Sequence, residues 1–242
     1  MAPVPVIDLN ADVGERPGTE GVAADAAIIA AVSSANVACG FHAGDGETMR
    51  AVCEIAVAKH KRIGAHVSYL DRDGFGRREL EVEPALLRDQ VAQQIRALQI
   101  TAGAAGGGVD YVKPHGALYN RAAIDRRYAE TIADAIVSVD GTLKLLGPPD
   151  SQLLMAAASR GLDGFAEGFP DRGYQANGTL IPRSEPGAVL DREAAIAQAQ
   201  RLAAAGRFRS LCIHSDAPGA AGLAIAIRNK LIGAGFEIRP FT

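Results

Sequence analysis

Residues 4–66 read VPVIDLNADVGERPGTEGVAADAAIIAAVSSANVACGFHAGDGETMRAVCEIAVAKHKRIGAH. A β-rich run at 4–9 gives way to an Ala- and Ile-rich helical stretch at 22–34. A second pair follows, 36–38 and then 46–60, and a third β-run at 62–66 begins the next unit. The alternation continues outward from this stretch. Further β-runs fall at 110–113, 142–146, 164–166 and 210–213, with an eighth candidate at 236–240. Helical stretches lie at 84–104, 125–139, 150–160, 191–205 and 219–234. Strict β/α alternation requires parallel strands joined by right-handed crossovers, so the architecture is a closed barrel or an open doubly wound sheet. Seven or eight units favour the barrel.

Local chemistry supports the helix ends. Pro84 suits a first helical turn, Asp125 and Asp191 suit N-caps, and Gly141, Gly161 and Gly206 follow helices. The glycine-rich run 103–108 follows a helix and precedes a strand, which reads as helix termination on the rim opposite an active face. No Ser/Pro-rich linker divides the 242 residues, so a single domain spanning 1–242 is expected.

Composition removes several classes. With 25 Lys+Arg against 28 Asp+Glu the net charge is -3, which provides no electrostatic basis for binding nucleic acid. No apolar run reaches the roughly 18 residues of a membrane span. The opening Met-Ala-Pro-Val-Pro lacks a basic segment before an apolar one, so a cytoplasmic protein acting on a small molecule is the expectation. Three cysteines, Cys39, Cys53 and Cys212, form no Cys-x-x-Cys and read as reduced core thiols. There is no phosphate-binding Gly-x-x-x-x-Gly-Lys loop and no Gly-x-Ser-x-Gly elbow.

Chemistry collects at the strand ends, the active face of a βα barrel. Asp8, Asn10 and Asp12 lie on one side of the first strand because side chains alternate along it. Cys39, His42 and Asp45 follow the second strand, His66 the third, Lys113 and His115 the fourth, Glu167 with Asp171 and Arg172 the sixth, and His214 and Asp216 the seventh. The remaining histidine, His60, ends a helix beside Lys59 and Lys61 and reads as structural. Buried carboxylates and histidines in such a set suit general acid/base work, with Asp8, Asp12, His42, His66 and His115 as catalytic candidates. The long connection 171–187 carries Arg172, Tyr174 and Arg183, which suits a lid over an anionic ligand. The segment 71–78, rich in Asp, Arg and Gly, has similar character.

IDLNADVGE at 7–15, SSANVACGFHAGD at 33–45, GAHVSY at 64–69, VKPHGALYN at 112–120, DRGY at 171–174, PRS at 182–184 and CIHSD at 212–216 together resemble the LamB/YcsF family, the A components of bacterial ATP-dependent 5-oxoprolinases. The motifs occur in family order and cover nearly the whole chain. The resemblance implies a distorted seven-stranded TIM-like barrel of the glycoside hydrolase/deacetylase type. It implies ATP-coupled hydrolysis of 5-oxo-L-proline to L-glutamate together with separate B and C subunits, and it leaves a homo-oligomer open. Asp8, Asp12, Glu15, His42, Asp45, His66, Lys113, His115, Arg172 and Asp216 stand in matching motifs. Val67 and Leu70 replace family prolines, Ser215 replaces a glycine, and the motif Gly-Glu-Gly reads Gly14-Glu15-Arg16.

Phosphorylation of the lactam oxygen would make the ring carbon electrophilic enough for water, with a carboxylate or histidine as base and Lys113 or Arg172 on anionic oxygens. Asn10, Glu15, Asp45, Lys113, Arg172, Tyr174, Arg183, His214 and Asp216 are the expected substrate- and ATP-binding set. Phosphoryl transfer calls for Mg²⁺, with Asp8, Asp12 and Asp45 as its expected oxygen ligands. Two rivals are a metal-dependent deacetylase or amidohydrolase that needs no ATP, and a ligand-binding subunit without chemistry of its own.

Overall fold

The computed structural model describes residues 4–215 and 219–242. In chain order the elements are β1 (Val6–Val13), α1 (Gly18–Ala31), β2 (Ser34–Ala38), α2 (Gly46–Ala58), β3 (Arg62–Val67), α3 (Pro84–Ala104), β4 (Tyr111–Pro114), α4 (Gly116–Ile124), α5 (Arg126–Val139), β5 (Lys144–Gly147), α6 (Gln152–Ser159), β6 (Gly164–Gly168), α7 (Arg192–Ala204), β7 (Ser210–Ile213), α8 (Ala220–Gly233) and β8 (Glu237–Ile238). Strands β1 to β7 pair in sequence order, all parallel, and β1 pairs with both β7 and β2. The ring is therefore a closed seven-stranded barrel. Strand β8 stands outside it, pairing only with Val6 and Ile7 at the start of β1.

Alternation along β1 divides its side chains between two environments. Ile7, Leu9 and Ala11 face outward into an apolar layer with Ile28, Val32, Ala224, Ile227 and Leu231 of the flanking helices. Asp8, Asn10 and Asp12 face inward, and all three are buried. Contacts between strands that are not neighbours run across the barrel, and these are polar: Lys113 of β4 reaches Asp12 of β1, and Asn10 of β1 reaches Glu167 of β6. Closing so polar an interior requires a hydrogen bond for each group, and that requirement places the functional residues. Space also matters. A Cβ on Gly64 of β3 would lie 2.2 Å from the Tyr111 ring, so glycine makes room for the tyrosine across the β3–β4 pair.

Toward the N-terminal end of the strands the lining turns apolar. Phe241, carried there by the segment after β8, packs against Tyr111, Leu146 and Phe165, with ring centroids 5.1 Å from both Tyr111 and Phe165.

The elements differ from the sequence reading in two informative places. Strand β1 continues to Val13 rather than stopping near residue 9, because Asn10 and Asp12 are inward-facing strand residues whose polarity mimics a loop. Helix α4 fills a stretch assigned no element. Asp125 ends it, its N–H donating to the Arg121 carbonyl, and caps α5, its side chain accepting from the Arg127 N–H. Pro84, Asp191 and the glycines after α6 and α7 stand where expected. No described helix is long and apolar enough to cross a membrane.

Candidate active site

The polar interior is a column of three tiers. In the lowest, Asp8 accepts hydrogen bonds at Oδ1 from Ser33 (2.6 Å) and Ser34 (2.7 Å), and at Oδ2 from the Ser210 hydroxyl. Burial nonetheless pushes its carboxyl up to about 6, against the three hydroxyls that favour the charged form. In the middle tier the Asn36 amide donates to Asn10 Oδ1 (2.6 Å) and Asp12 Oδ1 (2.8 Å), while Asn10 donates to Ser210 Oγ (2.7 Å). The Tyr111 hydroxyl donates to the Asn36 side-chain carbonyl oxygen.

At the mouth, Lys113 Nζ lies 2.7 Å from Asp12 Oδ1, 3.0 Å from Cys212 Sγ and 3.7 Å from Glu167 Oε2. Burial, the largest single effect, disfavours the ammonium, but the carboxylates of Asp12 and Glu167 act against it, and the lysine pKa stands well above its usual range. Burial likewise opposes ionisation of Asp12, yet His66 and Lys113 hold it well below the usual carboxylate range. Glu167 is pushed up by burial. Burial raises the thiols of Cys39, Cys53 and Cys212, so all three sit as protonated buried groups, unlike an activated nucleophile.

Beside Asp12 stand three histidines and Glu15. The Gly14 N–H donates to Asp25 Oδ2 (2.7 Å) and Gly14 takes φ +75°, fixing the turn that presents Glu15. Arg16, where the family pattern has glycine, lies 3.5 Å from Asp25. Glu15 Oε1 lies 3.2 Å from His42 Nε2, 3.6 Å from His115 Nδ1 and 3.8 Å from His66 Nε2. His66 Nε2 lies 3.0 Å from His115 Nδ1 and 3.3 Å from Asp12 Oδ1. The His42 and His115 rings stack at 3.9 Å, 8° from parallel. Segment 71–78 folds over them: the Phe75 ring meets both edge-on, and Arg72 Nη1 straps the segment to the carbonyls of Gly40 (2.8 Å) and Gly44 (2.7 Å). Burial holds His42 and His115 well below the usual imidazole range.

A fourth histidine stands across the mouth. The Asp171 carboxylate accepts from the His214 backbone N–H (3.1 Å) and lies 2.9 Å from its Nδ1. The imidazole pairing outweighs the burial that opposes the Asp171 charge and lowers its pKa. One donor atom each of Asp12, Cys212 and His214 lie within 4.8 Å of one another.

Asp12, Glu15, His42, His66, Lys113, His115 and His214 thus gather at one end of the barrel through a chain of close contacts, while other candidates stand elsewhere. Asp8 is sealed among serines below it. Asp45 is exposed and caps α2, accepting from the Thr48 N–H (2.8 Å). Asp8 and Asp45 each accept from structural donors, and among the described residues neither joins Asp12 in a group of donor atoms close enough to share one ion. Arg172 is buried and donates to the carbonyls of Ala188 (2.9 Å) and Ile181 (2.7 Å) within the connection that carries it. The Tyr174 hydroxyl accepts from the Phe169 N–H (2.7 Å), and Arg183 lies in the exposed run 182–187. Asp216 lies outside the described residues. Of the family departures, Val67 and Ser215 are buried and Leu70 is exposed. Glu167, Asn36, Tyr111 and Asp171 were not among the site residues expected from sequence. The strand-end positions of Glu167 and Asp171 were visible, but Asn36 and Tyr111 read as ordinary strand residues.

Residues 7–242 match the LamB/YcsF family. The A component of 5-oxoprolinase from Streptomyces avermitilis is 47% identical over 249 residues, covering 98% of this chain and 100% of the relative. A lactam utilization protein from Thermus thermophilus shares the fold at TM-score 0.89 with 38% identity, over 98% of this chain and 100% of the other. A polysaccharide deacetylase from Bacillus cereus aligns at TM-score 0.53 with 14% identity, covering 98% of this chain and 92% of that one, a likeness of fold alone.

Proposed function

This chain belongs to the LamB/YcsF family, and we propose that it is the A component of a multi-subunit 5-oxoprolinase, opening the lactam of 5-oxo-L-proline to L-glutamate at the expense of ATP, with B and C subunits. The full-length likeness to the A components of 5-oxoprolinases supports the assignment. The observation that carries it chemically is the Lys113–Asp12 pair at the barrel mouth, a buried ammonium on a carboxylate that also has a donor atom of His214 within 4.8 Å.

A lactam oxygen that accepts a phosphoryl group carries negative charge on the phosphoryl oxygens while water adds to the ring carbon, and a fixed ammonium in a low-dielectric setting stabilises that charge. Lys113 has that role. His214 is the base. Its Nδ1–H donates to Asp171, which leaves Nε2 with a lone pair to accept a proton from water and return it to the leaving ring nitrogen. Asp12 positions Lys113 and keeps it charged. ATP serves as the phosphoryl donor within the assembled enzyme: transfer to the lactam oxygen releases ADP, water adds to the ring carbon, the C–N bond breaks as the nitrogen takes the proton, and a second water cleaves the resulting acyl phosphate to glutamate and phosphate.

The direct test is glutamate release from 5-oxoproline and ATP by this chain mixed with its B and C subunits, omitting each component in turn. Activity that needs every component is expected, and a complex that assembles but stays silent would sink the assignment. The histidine–Glu15 cluster favours one second reading, an amidohydrolase that works without ATP. Hydrolysis of 5-oxoproline or an N-acetyl substrate by the isolated chain would establish it.

A further inference from the structure

The hydrogen bonds around the histidine cluster settle where its protons are. His66 Nδ1 lies 3.0 Å from the Lys113 carbonyl oxygen, which can only accept, so Nδ1 carries the hydrogen and Nε2 the lone pair. His115 Nε2 lies 2.9 Å from the Phe75 carbonyl oxygen, which leaves the lone pair on Nδ1. The Ser68 hydroxyl donates to the Tyr69 carbonyl (2.8 Å), so it accepts from His42 Nδ1 (3.0 Å), and the His42 lone pair is on Nε2. These three lone-pair nitrogens are the atoms that converge. Two of them face each other at 3.0 Å, and a third faces the Glu15 carboxylate at 3.2 Å.

In neutral imidazoles that arrangement is repulsive at every contact. One extra proton relieves a single pair. A cation at the centre satisfies all four atoms at once. One donor atom of each residue lies within 4.8 Å of every other, and the separations of 3.0, 3.2, 3.6 and 3.8 Å bracket the about 3.3 Å between ligands on a tetrahedral ion with bonds of about 2.0–2.1 Å. The outward N–H bonds to two carbonyls and a serine are the supports that orient metal-binding imidazoles.

We propose that Glu15 Oε1, His42 Nε2, His66 Nε2 and His115 Nδ1 form a binding site for one divalent transition metal. Three imidazoles and one carboxylate suit zinc, cobalt, iron or manganese and not magnesium, which prefers an all-oxygen octahedron. Asp12 Oδ1, 3.3 Å from His66 Nε2, borders the site and joins it to the Lys113 ammonium. The ion would supply a Lewis acid beside the Lys113 ammonium, at which the lactam reading places its substrate. The inference rests on donor geometry and stands whether or not that reading does.

The test uses the purified full-length chain, stripped by a chelator and titrated with Zn²⁺ and Co²⁺. One equivalent bound per chain is expected, with visible Co²⁺ absorption of the intensity that marks low coordination number. His42→Ala and Glu15→Gln should each weaken Zn²⁺ binding by at least about tenfold, and Ser68→Ala, which removes only the support of His42, by about 10–100-fold. Circular dichroism separates loss of fold from loss of a ligand, and Ser68→Ala decides the matter if His42→Ala unfolds. A folded wild-type chain that takes up no stoichiometric Zn²⁺ or Co²⁺, or variants that bind as tightly as wild type, would overturn the site and leave a shared proton as the cluster's only cation. Metal analysis is independent of turnover, so failure of the 5-oxoprolinase assay and failure of this site are separate results.

Discussion

Lys113 and Asp12 illustrate how a buried charge ties stability to function. Removing the ammonium leaves Asp12 charged in the interior, so Lys113→Met should destabilise the chain by about 3–5 kcal/mol. Adding Asp12→Asn should recover much of that stability in denaturant unfolding while turnover stays absent in both variants. Recovery of activity in the double variant would remove Lys113 from the chemistry. Asp8 makes the opposite prediction about charge. Its folded-state pKa of about 6 stands above the ordinary 3.8, so the stability it contributes is complete below about pH 4 and is lost as pH rises through 6. At about 1.4 kcal/mol per pH unit, Asp8→Asn should gain on wild type by about 3 kcal/mol between pH 4 and 7, measured by chemical unfolding at both ends. An unchanging gap would show that the serines leave Asp8 with an ordinary pKa. The sequence made the histidines, Asp12 and Lys113 legible because they follow β-runs. It could not show that Asp8, on the same strand face, lies deeper in the barrel among Ser33, Ser34 and Ser210, since alternation reports a face and not a depth.

At the scale of elements, the strand-then-helix order was readable from composition, and the closed ring agrees with the expected seven strands. What escaped was local. Polar residues inside a strand mimic a loop, as in the second half of β1, and α4 is too short for its apolar spacing to rise above the surrounding Ala-rich chain. Asp45 shows the same limit from the other side, because a carboxylate at a strand-to-helix junction can be a ligand or a cap. The hydrogen bond from the Thr48 N–H makes it a cap. Asp45→Ala should therefore lower the melting temperature while leaving metal content and turnover at wild-type levels. A fall in turnover at unchanged stability would return Asp45 to the site.

For the molecule as a whole, the residues that close the barrel come from its two ends: β1 joins β2 to β7, and the C-terminal segment seats Phe241 on Tyr111, Leu146 and Phe165. Phe241→Ala should cost about 3 kcal/mol and raise amide exchange in β4 and β5, where its contacts lie. Unchanged protection there would mean that the lining seals itself. Phe241 was unreadable in advance, because nothing in a phenylalanine beside the C-terminus reveals that its partners come from strands some 75 to 130 residues upstream. Its position has a kinetic corollary. With Phe241 filling the lining at one end of the ring, the proposed lactam opening would exchange water, substrate and product through the other end, where His66, Lys113 and His115 stand.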